Sequence, residues 1–309
     1  STPSNSSAAS DVYKRQVLVT YNTQIEILHK TIASVCGQVD QLIVVDNGSK
    51  NIQSITDVAR SYSAELVALP VNKGIAYAQN IGIQKAIQQG CHYILLMDHD
   101  TIMADGCVQY LCHEYEQVKK NNTKIGSLCC AYQNTHDNMV SAVWYTEGIM
   151  LCKKQVDYTQ QKLFEVDFTV ASGSLLSVEA LKDVGLMDER LFIDLVDVEW
   201  GLRANYLGYK NFQSFEYIMQ HTLGDKKIKT PLGSVTLHSP ERDYYYIRNS
   251  ILISRTKVIK ASWFIFFIKR IFIFLIVFSL FGDHKLRRLR LMLDGVRDGL
   301  AGRGGPLPR

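Results

Sequence analysis

No CxxC pair occurs among the seven cysteines, and Cys129 and Cys130 are adjacent, which suits neither a zinc knuckle nor a simple bridge. The expectation is reduced, mostly buried thiols in a cytosolic protein. The first sixteen residues hold no apolar run, so no signal peptide is expected there. Charge of one sign is scarce in excess: the net charge of +4 is too small to imply nucleic acid by itself. No internal repeat is found. What remains is ordinary globular composition, 47% hydrophobic and 21% charged, which excludes a disordered chain. A chain of 309 residues suits one large domain, or one domain with an appendage.

Short apolar runs alternate with helical patterns. Val17–Thr20, Leu42–Val45, Leu66–Leu69 and Tyr93–Met97 read as buried strands. Between them, Thr23–Cys36, Ile52–Tyr62 and the segment opened by Asn72-Lys73-Gly74 carry apolar residues at helical spacing. This rhythm predicts βαβ units and a largely parallel sheet, an α/β fold. Ligands of such sheets sit beyond the carboxyl ends of the strands, where Asn22, Asp46 and Asp98 fall. Further on, Ile125–Ala131 and Phe168–Ser177 are expected as strands and Val178–Val184 as a short helix. The chain from Tyr244 onward is helical in pattern.

The run Leu95-Leu96-Met97-Asp98-His99-Asp100 ends in two aspartates one residue apart. Alternate side chains of a strand share a face, so Asp98 and Asp100 point the same way. Two such carboxylates suit Mg²⁺ or Mn²⁺ carrying phosphate. A solvated strand end is the plainer explanation of a lone DxD.

These elements occur in a definite order. They are Val19-Thr-Tyr-Asn22, Val44-Val-Asp-Asn-Gly-Ser49, Asn72-Lys-Gly-Ile-Ala-Tyr-Ala-Gln-Asn80 and Met97-Asp-His-Asp-Thr101. Ala171-Ser-Gly-Ser174, the acidic segment Met187–Trp200, His221-Thr-Leu-Gly224 and Tyr244-Tyr-Tyr-Ile-Arg-Asn249 follow. Each alone is weak, but the ordered series resembles the inverting family 2 glycosyltransferases of GT-A fold, and within them the bacterial rhamnosyltransferases. The resemblance implies a mostly parallel mixed sheet flanked by helices. Residues 17–104 would form the nucleotide-sugar-binding half and 105–240 the acceptor and catalytic half. Residues 241–309 would be a helical membrane-associating region, and 1–16 a non-native or disordered leader.

The resemblance places the donor on Thr20, Tyr21, Asn22, Asp46, Lys73, Gly74, Asn80 and Asp98. Asp46 would accept from a pyrimidine N3–H, and the free N–H groups at the helix start after Lys73-Gly74 would meet phosphate. Asp98 and Asp100 would hold Mn²⁺ or Mg²⁺, with His221 as third ligand and a tilt toward Mn²⁺. A carboxylate must take the proton of the acceptor hydroxyl. Asp197 is the expected base, Glu199 the reserve and Asp194 the third candidate; Val196 stands where the family's usual glutamate precedes the base. Ser172 and Gly173 are expected beside the acceptor, with Trp200. Arg242, Arg248 and Asn249 are candidates for the diphosphate or a lipid-linked acceptor.

The implied donor is dTDP-rhamnose and the implied acceptor a saccharide or polyprenyl-linked glycan. UDP-hexose or UDP-galactofuranose donors, and a non-catalytic sugar-binding protein, are the alternatives. A sugar-phosphate nucleotidyltransferase would need a Gly-rich loop after the first strand, and Val17–Asn22 has none.

Trp263–Phe281 is apolar except for Lys269, Arg270 and Ser279. The two mid-segment charges cost roughly 2.5–3.5 kcal/mol each in a bilayer centre, so a pair of interfacial helices broken near them is expected over the alternatives, a spanning helix or a buried core helix. Lys285, Arg287, Arg288 and Arg290 would meet anionic lipid at the inner face of the plasma membrane.

Overall fold

The computed structural model describes residues 13–135, 138–221, 226–230 and 233–308. The order of elements is β1 (Lys14–Thr20), α1 (Ile25–Ala33), β2 (Gln41–Asp46), α2 (Ile52–Ser61), β3 (Glu65–Ala68), α3 (Ile75–Gln88), β4 (Tyr93–Asp98), β5 (Thr101–Ile102) and α4 (Cys107–Lys120). Then come β6 (Ile125–Asn134), β7 (Val143–Glu147), β8 (Met150–Lys154), β9 (Leu163–Val166), β10 (Ser174–Ser177), α5 (Val178–Val184), α6 (Val196–Tyr206) and β11 (Lys210–His221). The chain finishes with β12 (Lys226–Thr230), β13 (Gly233–Leu237), α7 (Pro240–Ser254), α8 (Ala261–Phe281) and α9 (Lys285–Leu300).

One mixed sheet runs β3-β2-β1-β4-β10-β6-β11-β5, with β9 also on β11. The expected alternation is here: β3, β2, β1 and β4 are parallel, and β10 enters antiparallel between β4 and β6. Both faces are covered, as parallel strands require. Val17, Val19, Ile43, Val45 and Leu96 pack toward α3 and α6. Leu18, Val44, Leu95 and Met97 pack on the opposite side with Leu28, Ile55 and Leu111 of α1, α2 and α4.

Three expectations change. The leader cannot extend to residue 16, because Lys14–Gln16 belong to β1; Gln16 is fully buried and pairs across to Leu42 and Leu95. Its residues 1–12 lie outside the described residues. The strand expected over Phe168–Ser177 is confined to Ser174–Ser177, since Gly173 takes a positive φ of 80° just before it. The apolar C-terminal segment is not broken at its charges: α8 runs unbroken through Lys269 and Arg270 and ends at Gly282.

The C-terminal helices are present and pack onto the rest of the chain. Trp263 and Phe267 of α8 belong to the core beneath α6, and the Trp263 indole donates to Asp167 at 2.7 Å. Helix α9 lies against α7 at close quarters, where a Cβ on Gly295 would come within 2.7 Å of the Tyr244 carbonyl. Arg288 is buried in an ion pair with the equally buried Asp243 and cannot face lipid. Lys285, Arg287 and Arg290 do remain exposed.

Candidate active site

A cleft of about 470 Å³ opens at the carboxyl ends of β1 and β4. Its walls include Thr20, Tyr21, Asn47, Asn72, Gly74 and Gln79 on one side and Asp98, Asp100, Asp197, His221 and Arg242 on the other. Asp98 closes β4, and its N–H donates to the Ser172 hydroxyl at 3.0 Å. Burial, then the neighbouring Asp100 charge, hold the Asp98 carboxyl above the usual range, against the pull of His221, His99 and Arg242.

His221 reaches this corner because β11 pairs antiparallel with β5, setting His221 opposite Thr101. Its Nδ1 lies 2.8 Å from the Thr101 hydroxyl and 3.5 Å from Asp100 Oδ1. That Asp100 oxygen is buried without a hydrogen-bond partner. An orphaned carboxylate oxygen beside a second, destabilised carboxylate fits a hard divalent cation. Among the described residues no three His, Cys, Asp or Glu side chains form a ready cage. The two aspartates therefore fit a cation whose other ligands come from phosphate, as Mg²⁺ commonly binds. His221 stands beside the pair with Nδ1 turned to Thr101.

Asp197 sits in the first turn of α6, after a loop in which Phe192, Asp194 and Leu195 all have positive φ near 64°. Hydrogen bonds from two sides impose that loop. Asn249 Nδ2 donates to the Leu191, Ile193 and Asp194 carbonyls, and the buried Arg248 guanidinium donates to those of Arg190 and Leu191. From the other side the Ile75 N–H donates to the Phe192 carbonyl at 2.7 Å, and Gly74 lets Phe192 approach where a Cβ would clash at 2.6 Å. Burial pushes the Asp197 carboxyl up to about 6, with the Asp98 charge adding to the rise and backbone N–H bonds from Val198 and Ala171 opposing it. A carboxylate poised near neutrality at the rim of a polar cleft suits a general base.

A family model described as Glycosyl transferase family 2 matches residues 17–185. A Shigella flexneri protein named dTDP-rhamnosyl transferase RfbF is 32% identical over 242 residues, covering 77% of this chain and 79% of that protein.

The chain is a family 2 glycosyltransferase.

A poly-beta-1,6-N-acetyl-D-glucosamine synthase of Staphylococcus epidermidis is 25% identical over 60% of the glycosyltransferase, which spans 44% of that longer protein. Among solved structures, S. aureus TarS 1-349 in complex with UDP-GlcNAc superposes with a TM-score of 0.60 at 16% identity, over 94% of this chain and 81% of that one. GalNAc-T7 with UDP, GalNAc and Mn2+ gives 0.55 at 13% identity, over 84% and 54%. These likenesses show a shared GT-A-like fold.

The glycosyltransferase uses several of the expected residues differently. Asp46 is fully buried, and its two oxygens take four donors: the Thr20 and Ser49 hydroxyls and the Gly48 and Ser49 N–H groups. A carboxylate so saturated has nothing left for a base N–H, so Asp46 builds the turn rather than the donor contact. Asn22 belongs to the same turn, its Oδ1 accepting the Lys50 N–H and its N–H donating to Ser49. Part of the expected phosphate cradle at the start of α3 is taken: Lys73 N–H goes to Asn47, Gly74 N–H to Asn72 and Ile75 N–H to Phe192. Asn80 is spent on Met187 and Glu189.

Glu199 is buried in a two-point ion pair with Arg203, at 2.8 and 2.9 Å, and is no base in reserve. Trp200 is core, donating to the Gly185 carbonyl, and Gly173 packs under Met219 rather than an acceptor. Arg248 and Asn249 hold the loop and do not line the cleft. Thr20, Tyr21, Gly74, Asp98, Asp100, Asp197, His221, Asp194 and Arg242 do line the cleft, with Arg242 donating to Asp194 at 3.2 Å. Residues 222–224 of the His221 motif lie outside the described residues. Sequence reasoning missed Gln79, one helical turn after Ile75 on the same face of α3, whose buried Oε1 has no partner.

Proposed function

We propose that this glycosyltransferase moves L-rhamnose from dTDP-rhamnose onto a saccharide acceptor, free or polyprenyl-linked, with inversion at the anomeric carbon. The donor assignment rests on similarity to the protein named dTDP-rhamnosyl transferase. The observation that carries the chemistry is Asp197, raised toward neutrality at the edge of the cleft that holds Asp98 and Asp100.

In this reading Asp197 takes the proton of the acceptor hydroxyl. The oxygen attacks the anomeric carbon as the bond to the nucleoside diphosphate breaks on the opposite face, so no covalent enzyme intermediate is needed. Asp98 and Asp100 would hold Mn²⁺ or Mg²⁺, which supplies positive charge to the departing diphosphate. Arg242, tethered by Asp194, adds a cation at the same wall. Arg248 and Asn249 fix the loop that aims Asp197.

We place the enzyme on the inner face of the plasma membrane. Helix α8 is long and apolar enough to cross a bilayer. Yet Trp263, Phe267, Phe274 and Phe278 are packed into the protein. The opposite stripe of Phe264, Ile268, Phe272, Ile276 and Leu280 is exposed at four-residue spacing, which suits a helix lying in the interface.

The donor is tested by parallel incubation with dTDP-rhamnose, UDP-glucose and UDP-galactofuranose in Mn²⁺, reading release of nucleoside diphosphate. Turnover of dTDP-rhamnose is expected; turnover of UDP-glucose alone refutes the assignment.

A further inference from the structure

Outside the cleft, a groove of about 280 Å³ lies between the β7–β8 hairpin and the β6–β11 part of the sheet. Tyr132, Trp144 and Phe168 give it aromatic walls, and Ser141, Gln155 and Gln213 give it hydroxyl and carboxamide groups. Gln213 donates to the Ser141 hydroxyl at 2.9 Å, so the polar wall is held in place. Trp144 is held too: its ring meets Phe266 edge-on at 5.6 Å and Trp263 at 6.3 Å.

The groove is not isolated. A junction cavity of about 260 Å³ shares Tyr132 and Val170 with it, and shares Asp98, Asp197 and His221 with the donor cleft. Asp197 therefore lines both the cleft at the strand ends and the cavity that adjoins the groove. A transferase needs that arrangement, because the base must face the acceptor hydroxyl from the side opposite the leaving group.

We propose that this groove is the acceptor subsite, holding a pyranose unit of the acceptor saccharide against Trp144. The proposal rests on the glycosyl-transfer reading of the cleft. Aromatic walls with a few fixed polar groups are the chemistry that orients a neutral ring carrying hydroxyls. The Lys153 ammonium lies over the Trp144 ring at 5.1 Å, on an exposed side chain that a sugar face can displace. The hairpin thus links the acceptor path to α8 through Trp144, Trp263 and Phe266, placing it beside the apolar helix, as a lipid-linked saccharide would require.

The test is saturation-transfer NMR on the full chain with methyl glycosides of rhamnose, glucose, galactose and N-acetylglucosamine, and their disaccharides. Thymidine diphosphate and diamagnetic Mg²⁺ are present to fill the donor cleft. At least one glycoside should bind the wild type and bind at least about tenfold more weakly to both Trp144→Ala and Ala142→Phe, a loss of roughly 1.4 kcal/mol. Thymidine diphosphate binding should not change. Ala142→Phe fills the groove while removing nothing from the aromatic cluster, so it serves if Trp144→Ala fails to fold. Absence of binding by the wild type, or equal binding by Ala142→Phe, overturns the proposal. Glycoside binding lost in the variants without any turnover of dTDP-rhamnose by the wild type would instead strike the donor reading and leave the groove standing.

Discussion

Replacing Asp197 with asparagine should separate stability from activity. The folded protein raises this carboxyl from 3.8 to about 6. At about 1.4 kcal/mol per unit, keeping it ionised costs the native state about 3 kcal/mol at neutral pH, as an upper bound. The sign follows from proton linkage. The folded pKa lies above the unfolded one, so the native state holds the proton more tightly. The wild type accordingly loses this stability as pH rises from about 4 to about 6, and the loss is complete above that. Asp197→Asn carries no such charge and keeps an oxygen for the Val198 N–H, bonded at 2.9 Å in the wild type. At pH 7.5 the variant should therefore melt higher, by roughly 5 °C, with the gap closing below about pH 4. Its turnover should fall at least about a hundredfold, because an amide takes no proton. Scanning calorimetry at several pH values and release of nucleoside diphosphate measure the two effects. A variant that melts lower than the wild type at pH 7.5, or one that keeps its turnover, refutes the reasoning.

Wild-type kcat/KM should rise with pH through an ionisation near 6, and a profile flat from pH 5 to 8 removes Asp197 as base. Asp100→Ala should abolish Mn²⁺-dependent binding of thymidine diphosphate in calorimetry, and full activity in excess EDTA would remove the cation altogether. Arg248→Lys cannot reproduce the fork that binds the Arg190 and Leu191 carbonyls, so kcat should drop at least about tenfold with donor affinity retained; unaltered kcat would show that the loop aims itself. Glutamine at Lys285, Arg287 and Arg290 together should weaken flotation with anionic liposomes and its salt sensitivity. Arg288→Gln should instead destabilise the fold by roughly 3–5 kcal/mol, read by chemical denaturation, because it strands the buried Asp243. An Arg288→Gln protein as stable as the wild type would contradict that account.

Local pattern determined much of this protein. Apolar runs of strand length, separated by helix-period segments, dictate the parallel half of the sheet, and the DxD at the end of β4 follows from where the run stops. Side chains whose duty depends on distant partners were not legible. Asp46 follows a strand in a turn cluster, and only the folding of Thr20 and Ser49 onto it shows that its oxygens are full. Asp197 and Glu199 are two residues apart in one acidic stretch, yet helix geometry points one to the cleft and the other to Arg203. That i,i+4 pair was visible in principle; the loop that rotates the helix was not. His221 meets Thr101, 120 residues earlier, through strand pairing. Arg248 and Arg288 look like surface charge in the sequence. They are buried because the helices around them bring carbonyls and carboxylates to their forks, and a buried guanidinium is tolerable only where tertiary structure supplies such partners.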